Sequence, residues 1–247
     1  RSLAVAPHLS ILSVGYVTFA YASVPDTVRA RYGVSFVALG LLMSAVLLAF
    51  GLVQIPGGRL LDRTSTIRML AGATAAHGAL AVALDAAPNF RTLIALRTVW
   101  GLAGGLVLLA GAPHFARLYA GSTATRQQGV FGGMITVGGA AGFVLVPRIV
   151  ATTGWVGTHA TAAVPAAVAV GLVSYGGRTP RVREAARGRD APVRARELFS
   201  LPPIPGTAVW LTGVCYVAVI GGYISLSTFV ASYFADLGVG GGLDVVV

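Results

Sequence analysis

The sequence predicts an all-α bundle of membrane-spanning helices, and three observations carry that reading. Hydrophobic residues fill 55% of the 247 positions and charged residues only 11%, where a soluble domain carries about a quarter charged. Apolar runs of about 18 residues or more return repeatedly, each long enough for a helix to cross a hydrocarbon layer roughly 30 Å thick. The runs are continuous rather than alternating, which selects helices over a β-barrel.

Uncharged runs and their polar borders predict seven spans. The first covers His8 to Val24, the second Ser35 to Gly57, the third Met69 to Leu84 and the fourth Phe90 to Ala112. The fifth covers Gly129 to Val146, the sixth Trp155 to Tyr175 and the seventh Gly206 to Val230. The first run ends in Ala20, Tyr21 and Ala22, small-residue chemistry that a secretory signal also uses, but the spans that follow favour an uncleaved helix. One long polar segment, Gly177 to Pro203, holds seven arginines and three acids. The expected domains are therefore a six-helix unit over residues 1–176, a linker over 177–204, and the first helix of a second unit over 205–247. Pro180, Pro192, Pro202 and Pro203 discourage a long helix in the linker.

Charge supplies the orientation. The net charge of +10 comes from 18 arginines against eight acids, with no lysine. In a soluble protein such an excess points to nucleic acid; here the arginines border spans, and short cytoplasmic loops collect positive charge. With the N-terminus inside, Arg1, Arg59, Arg63, Arg68, Arg117, Arg126 and the seven linker arginines face the cytoplasm, thirteen in all. Only Arg29, Arg31, Arg91 and Arg148 face outward. A multi-pass plasma-membrane protein with a cytoplasmic N-terminus is expected, its linker drawn to anionic lipid rather than to nucleic acid.

No charge occurs from Tyr32 to Gly58, and then Arg59, Asp62, Arg63 and Arg68 arrive together. Gly58 would let a neighbouring helix approach, and Asp62 suits a helix N-terminus, where free N–H groups and the dipole favour an anion. Such a knot forms either a solvated turn or a latch at the cytoplasmic face. Arg97 stands about eight residues, or roughly 12 Å, inside the fourth span. A charge near midplane costs at least about 2.5 kcal/mol, so it normally faces the bundle interior and marks a solute or ion path; the alternative is that it snorkels outward. Gly101 and Gly105, Gly129 and Gly133, and Gly138 and Gly142 are each four apart, a spacing that lets helices pack closely in lipid.

These features resemble the major facilitator superfamily of secondary transporters. Its signature between the second and third spans reads G-x-x-x-D-R/K-x-G-R/K-R/K. Gly58, Asp62 and Arg63 match it, while Ser65, Thr66 and Ile67 depart from it and Arg68 lies one place beyond. In the family this loop is thought to hold the outward-facing state. Arg97 and Gly101 are similar to the family's R-x-x-x-G on the fourth span. The drug-exporter signature on the fifth span is poorly met: Gly138 and Gly142 fit, but Phe143 replaces its proline and Pro147 comes later. Nitrate-type members use an arginine in the second span, which is absent. The resemblance implies the six-helix N-terminal half of such a fold plus the start of the second half, ending soon after the seventh span, and a fragment inactive by itself.

What the resemblance implies is secondary transport of a small solute by alternating access, in a carrier that is monomeric when complete. A drug/proton antiporter of the same fold is the alternative. The family lines its cavity with the first, fourth and seventh spans, which here offer Tyr16, Thr18, Arg97, Tyr216, Tyr223 and Ser227. Gly221 and Gly222 would let the seventh helix bend. A buried cation with no buried carboxylate in the spans favours an anionic solute or an acid elsewhere. Coupling to a proton or other ion stays open, His77 being the central titratable candidate. No cofactor or metal is implied. A retinal pump needs a lysine that is missing, and no clustered serine and histidine supports an intramembrane enzyme. Cys215 is the single cysteine.

Overall fold

The computed structural model describes residues 2–188 and 206–237. The chain divides into two units, Arg1–Phe199 and Ser200–Val247, each considered by itself. Every regular element among the described residues is helical. The first unit holds α1 (Ser2–Ala20), a short α2 (Pro25–Tyr32), α3 (Phe36–Asp62), α4 (Thr66–Asp85), α5 (Phe90–Leu118) and α6 (Gly121–Thr153). A 3-10 turn (Ala160–Ala162), α7 (Ala163–Gly176) and a short α8 (Pro180–Ala185) follow, and the second unit holds α9 (Thr207–Asp236). Helices α1, α3, α4, α5 and α6 are long and apolar enough to cross a membrane, and Ala160–Gly176 is a shorter apolar helix.

Local chemistry sets the ends. The Ser35 hydroxyl accepts the Ala38 N–H at 3.3 Å and the Asn89 side chain accepts that of Thr92 at 2.9 Å, two N-caps that open α3 and α5. Gly33 closes α2 with φ of 64° and Gly154 closes α6 with φ of 73°, conformations in which a β-carbon is strained.

Two boundaries differ from the hydropathy reading. Helix α5 runs to Leu118 and α6 begins at Gly121, so Arg117 and Arg126 stand on helices rather than in a loop. A helix continues beyond its apolar stretch until something breaks it, and hydropathy marks only the stretch. The sixth span was expected from Trp155, yet residues 154–159 turn, with Gly154 and Gly157 both at positive φ. Regular helix resumes only at Ala160.

Among the spans α1 is the most enclosed, with 72% of its apolar window buried against 28% in α6. It packs on α6 and α7, while α5 packs on α3 and α4, and α4 also on α7. Close packing drives helix association in lipid, and the glycines show where it is closest. A β-carbon at Gly138 would strike the Leu12 carbonyl, and one at Gly142 would lie 3.0 Å from the Tyr16 carbonyl oxygen. On α5, one at Gly101 would lie 2.8 Å from Ala49 Cβ and one at Gly105 2.6 Å from Val53 Cγ1. Gly129 and Gly133 have nothing within 4 Å.

Candidate functional site

Arg97 is wholly buried (0% exposed) where α5 meets the C-terminal turn of α1. Its Nη1 donates to the Val17 carbonyl at 2.8 Å and its Nη2 to the Thr18 carbonyl at 2.7 Å. A weaker contact runs from Nη2 to Met43 Sδ at 3.9 Å. The guanidinium lies 4.4 Å from the centre of the Tyr21 ring and 5.2 Å from that of Trp100. The last carbonyls of a helix run short of intrahelical donors. In α1 they are met one by one: Val17 and Thr18 by Arg97, Phe19 by the Ala22 and Ser23 N–H groups, and Ala20 by the Ser23 hydroxyl. Arg97 is thus a C-cap supplied by another helix, a cation at the negative end of a helix dipole. It is held by carbonyls and ring faces, not by an acid.

Tyr16 and Thr18 are buried beside it. The Tyr16 hydroxyl donates to the Thr158 carbonyl at 3.2 Å and accepts from the Thr161 hydroxyl at 2.9 Å. The Thr18 hydroxyl donates back to the Val14 carbonyl at 2.8 Å. On α9, Tyr223 is half exposed; Tyr216 and Ser227 lie on the same helix, and their side chains fall outside the described residues.

His77, fully buried on α4, hydrogen-bonds through Nε2 to the Ser13 hydroxyl at 2.7 Å. Because that hydroxyl donates its hydrogen to the Ala162 carbonyl at 2.7 Å, Nε2 carries the histidine's N–H. The ring rests 5.2 Å from Trp100, centre to centre. Its environment is that of a packed, hydrogen-bonded core side chain.

The structure corrects one expectation about charge. Asp85, the last residue of α4, is a buried carboxylate (8% exposed). It accepts backbone N–H groups from Gly157 at 3.1 Å, His159 at 3.0 Å and Ala160 at 2.9 Å, and the His159 Nδ1 at 2.6 Å. This cluster bends the 154–159 segment back onto α4, which explains why the sixth helix starts late. The carboxylate was missed because it sits one residue past a hydropathic border, and its partner lies 74 positions away.

At the opposite end of the bundle, Asp62 is exposed and lines a cavity of about 350 Å³ with Arg117, Arg187 and Gly188. Arg63 is half buried beside it and Arg68 is exposed. The Arg117 guanidinium, at the end of α5, donates to the carbonyls of Leu61 at 3.1 Å, Thr64 at 3.2 Å and Ala186 at 3.2 Å. The Thr66 N–H also reaches the Ala186 carbonyl, at 3.0 Å. A β-carbon at Gly188 would come within 2.5 Å of the Asp62 carbonyl oxygen. The knot of charges is therefore packed against the first residues of the linker, through Arg117 rather than through any residue of the motif.

Gly58 does not make the close approach expected of it: nothing described stands within 4 Å of a β-carbon there. Its neighbour Gly57 does, against Leu106 and Leu109 at 2.7 and 2.8 Å. Adjacent helical positions are turned about 100° apart, so one residue decides which glycine faces the contact.

No three His, Cys, Asp or Glu side chains gather into a metal site among the described residues. The chain matches no curated protein significantly. The family model for the Major Facilitator Superfamily matches residues 8–247.

Proposed function

Because the chain belongs to the Major Facilitator Superfamily, we propose that it moves a small solute across a bilayer by alternating access, with an organic anion as the favoured cargo. It is a multi-pass membrane protein. The observation that carries the anion reading is Arg97, a cation in the bundle interior that is solvated by two carbonyls and two ring faces and is not neutralised by an acid. Asp85, the buried carboxylate, has its own donors in three backbone N–H groups and His159. The positive potential at Arg97 is left to a solute.

In this reading Arg97 also couples α1 to α5, so that the two move together, and the solute path opens when the α1 terminus shifts. Tyr16 and Thr18 flank that terminus, and Tyr216, Tyr223 and Ser227 are the proposed solute contacts of α9. Gly58, Asp62, Arg63 and Arg68 form the gate of the cytoplasmic face, with the N-terminus inside and the protein in the plasma membrane. The basic linker rests near anionic lipid. The carrier works as a monomer, with a proton or other ion as the coupling partner.

Uptake of labelled organic anions into proteoliposomes holding the complete protein tests this. Saturable uptake competed by other anions is expected, with neutral analogues of the same shape excluded. Equal entry of neutral analogues would overturn the anion reading. Arg97→Gln is expected to abolish uptake at a temperature where the variant is still folded, and undiminished uptake would reduce Arg97 to a structural cap.

A further inference from the structure

His159 has a nitrogen that the fold leaves unused. Its Nδ1 is 2.6 Å from an Asp85 oxygen and is therefore the protonated nitrogen of the neutral ring. Its Nε2 is buried and has no hydrogen-bond partner. Tyr21 stacks on the ring at 4.4 Å between centres, and Trp155 meets it near edge-on at 5.8 Å.

We infer that His159 Nε2 is a proton-binding site, and that a proton taken up there releases the loop between α6 and α7 from the end of α4. The inference goes beyond the transport reading and is independent of which solute is carried.

The chemistry is a single addition. A proton from bulk water bonds to the Nε2 lone pair, the Nδ1–H stays on the Asp85 carboxylate, and no other bond breaks. The product is an imidazolium whose new N–H has no acceptor in the packed loop. Leaving a buried donor unmet costs about 1–3 kcal/mol, more for a charged group.

The charged and titratable surroundings oppose the cation on one side only. Asp85 at the end of α4 favours it. Across the Tyr21 ring stands Arg97 of α5, 4.4 Å from that ring, and beyond Trp155 stands Arg31 of α2, 5.1 Å from the indole. Tyr32 of α2 and Tyr16 of α1 complete the set, the first against Trp155 and the second on Thr158 and Thr161. Burial pushes His159 below the usual histidine range despite the pull of Asp85. With the loop lifted, Nε2 meets water and the ring titrates near its ordinary value of about 6.5.

The sign follows. The packed loop holds the lower pKa, so it is fully favoured above about pH 6.5 and is lost progressively as pH falls below that value. Each pH unit in that range shifts the equilibrium about tenfold.

The test uses the complete protein in detergent with Cys215→Ser, so that one introduced cysteine reports. Thr158→Cys places a thiol at a fully buried position of the loop, and Val156→Cys places one at a position 73% exposed. The ratio of their maleimide reaction rates cancels the pH dependence of the thiol itself. Between pH 8 and pH 5 this ratio is expected to rise by up to about 30-fold, and to stay flat when His159→Gln is added. A flat ratio with His159 in place overturns the proposal, as does a rise that survives His159→Gln unchanged. If the His159→Gln protein does not fold, a nitrogen NMR titration decides: protonation of the His159 ring at the midpoint of the rate change supports the proposal, and a ring still neutral at pH 5 overturns it.

Discussion

Replacing Arg97 by leucine removes the cap from α1 without removing bulk. Two charge-assisted hydrogen bonds disappear, to the carbonyls of Val17 at 2.8 Å and Thr18 at 2.7 Å. Bonds of this type contribute about 1.5–3 kcal/mol each, which gives a loss of about 3–6 kcal/mol. The favourable placement of a cation at a helix C-terminus and over two aromatic faces goes with it, while the desolvation cost of burying the charge is recovered. The net stays near the middle of that range, a large share of a total stability of about 5–15 kcal/mol. For a unit of this size, about 2–4 °C accompanies each kcal/mol, so the unfolding midpoint should fall by about 10 °C. Heating detergent-solubilised protein in steps and measuring the monodisperse fraction by size exclusion reads this directly. Arg97→Lys keeps the charge and one of the two bonds, and should lose about half as much. A midpoint for the leucine variant within about 2 °C of the parent would refute the capping argument.

Gly138→Val should prevent folding or yield only aggregated protein, because its side chain would meet the Leu12 carbonyl. Gly133→Ala, with nothing within 4 Å, should be neutral or stabilising by up to about 1 kcal/mol, and the monodisperse yield of the two compares them. Arg117→Ala frees the carbonyls of Leu61, Thr64 and Ala186. It should speed trypsin cleavage at the linker arginines severalfold while leaving the thermal midpoint of the bundle nearly unchanged. Cleavage at the parental rate would show that the linker is held by something else.

Much of the fold is legible from local pattern. Runs such as Ser35 to Gly57 report their own burial in lipid, because the transfer energy of a helix is a sum over its own side chains. The second and fourth helices start at Ser35 and Asn89, whose caps reach only three residues along the chain. The family motif at Gly58, Asp62 and Arg63 is equally local. Its physical role is less so: Gly57 makes the contact expected of Gly58, and Arg117, 54 positions beyond Arg63, ties the motif loop to Ala186.

Hydropathy and motif spacing alone determined that this chain is a bundle of membrane helices of the major facilitator kind, and that Arg97 is the charge to explain. Tertiary structure alone decided how that charge is met, by carbonyls 79 and 80 positions away on α1, and that Asp85 and His159 form a buried pair. Oil solubility adds up residue by residue and can be read along the chain. Satisfying a buried polar group takes a partner, and which partner is in reach depends on how the helices pack.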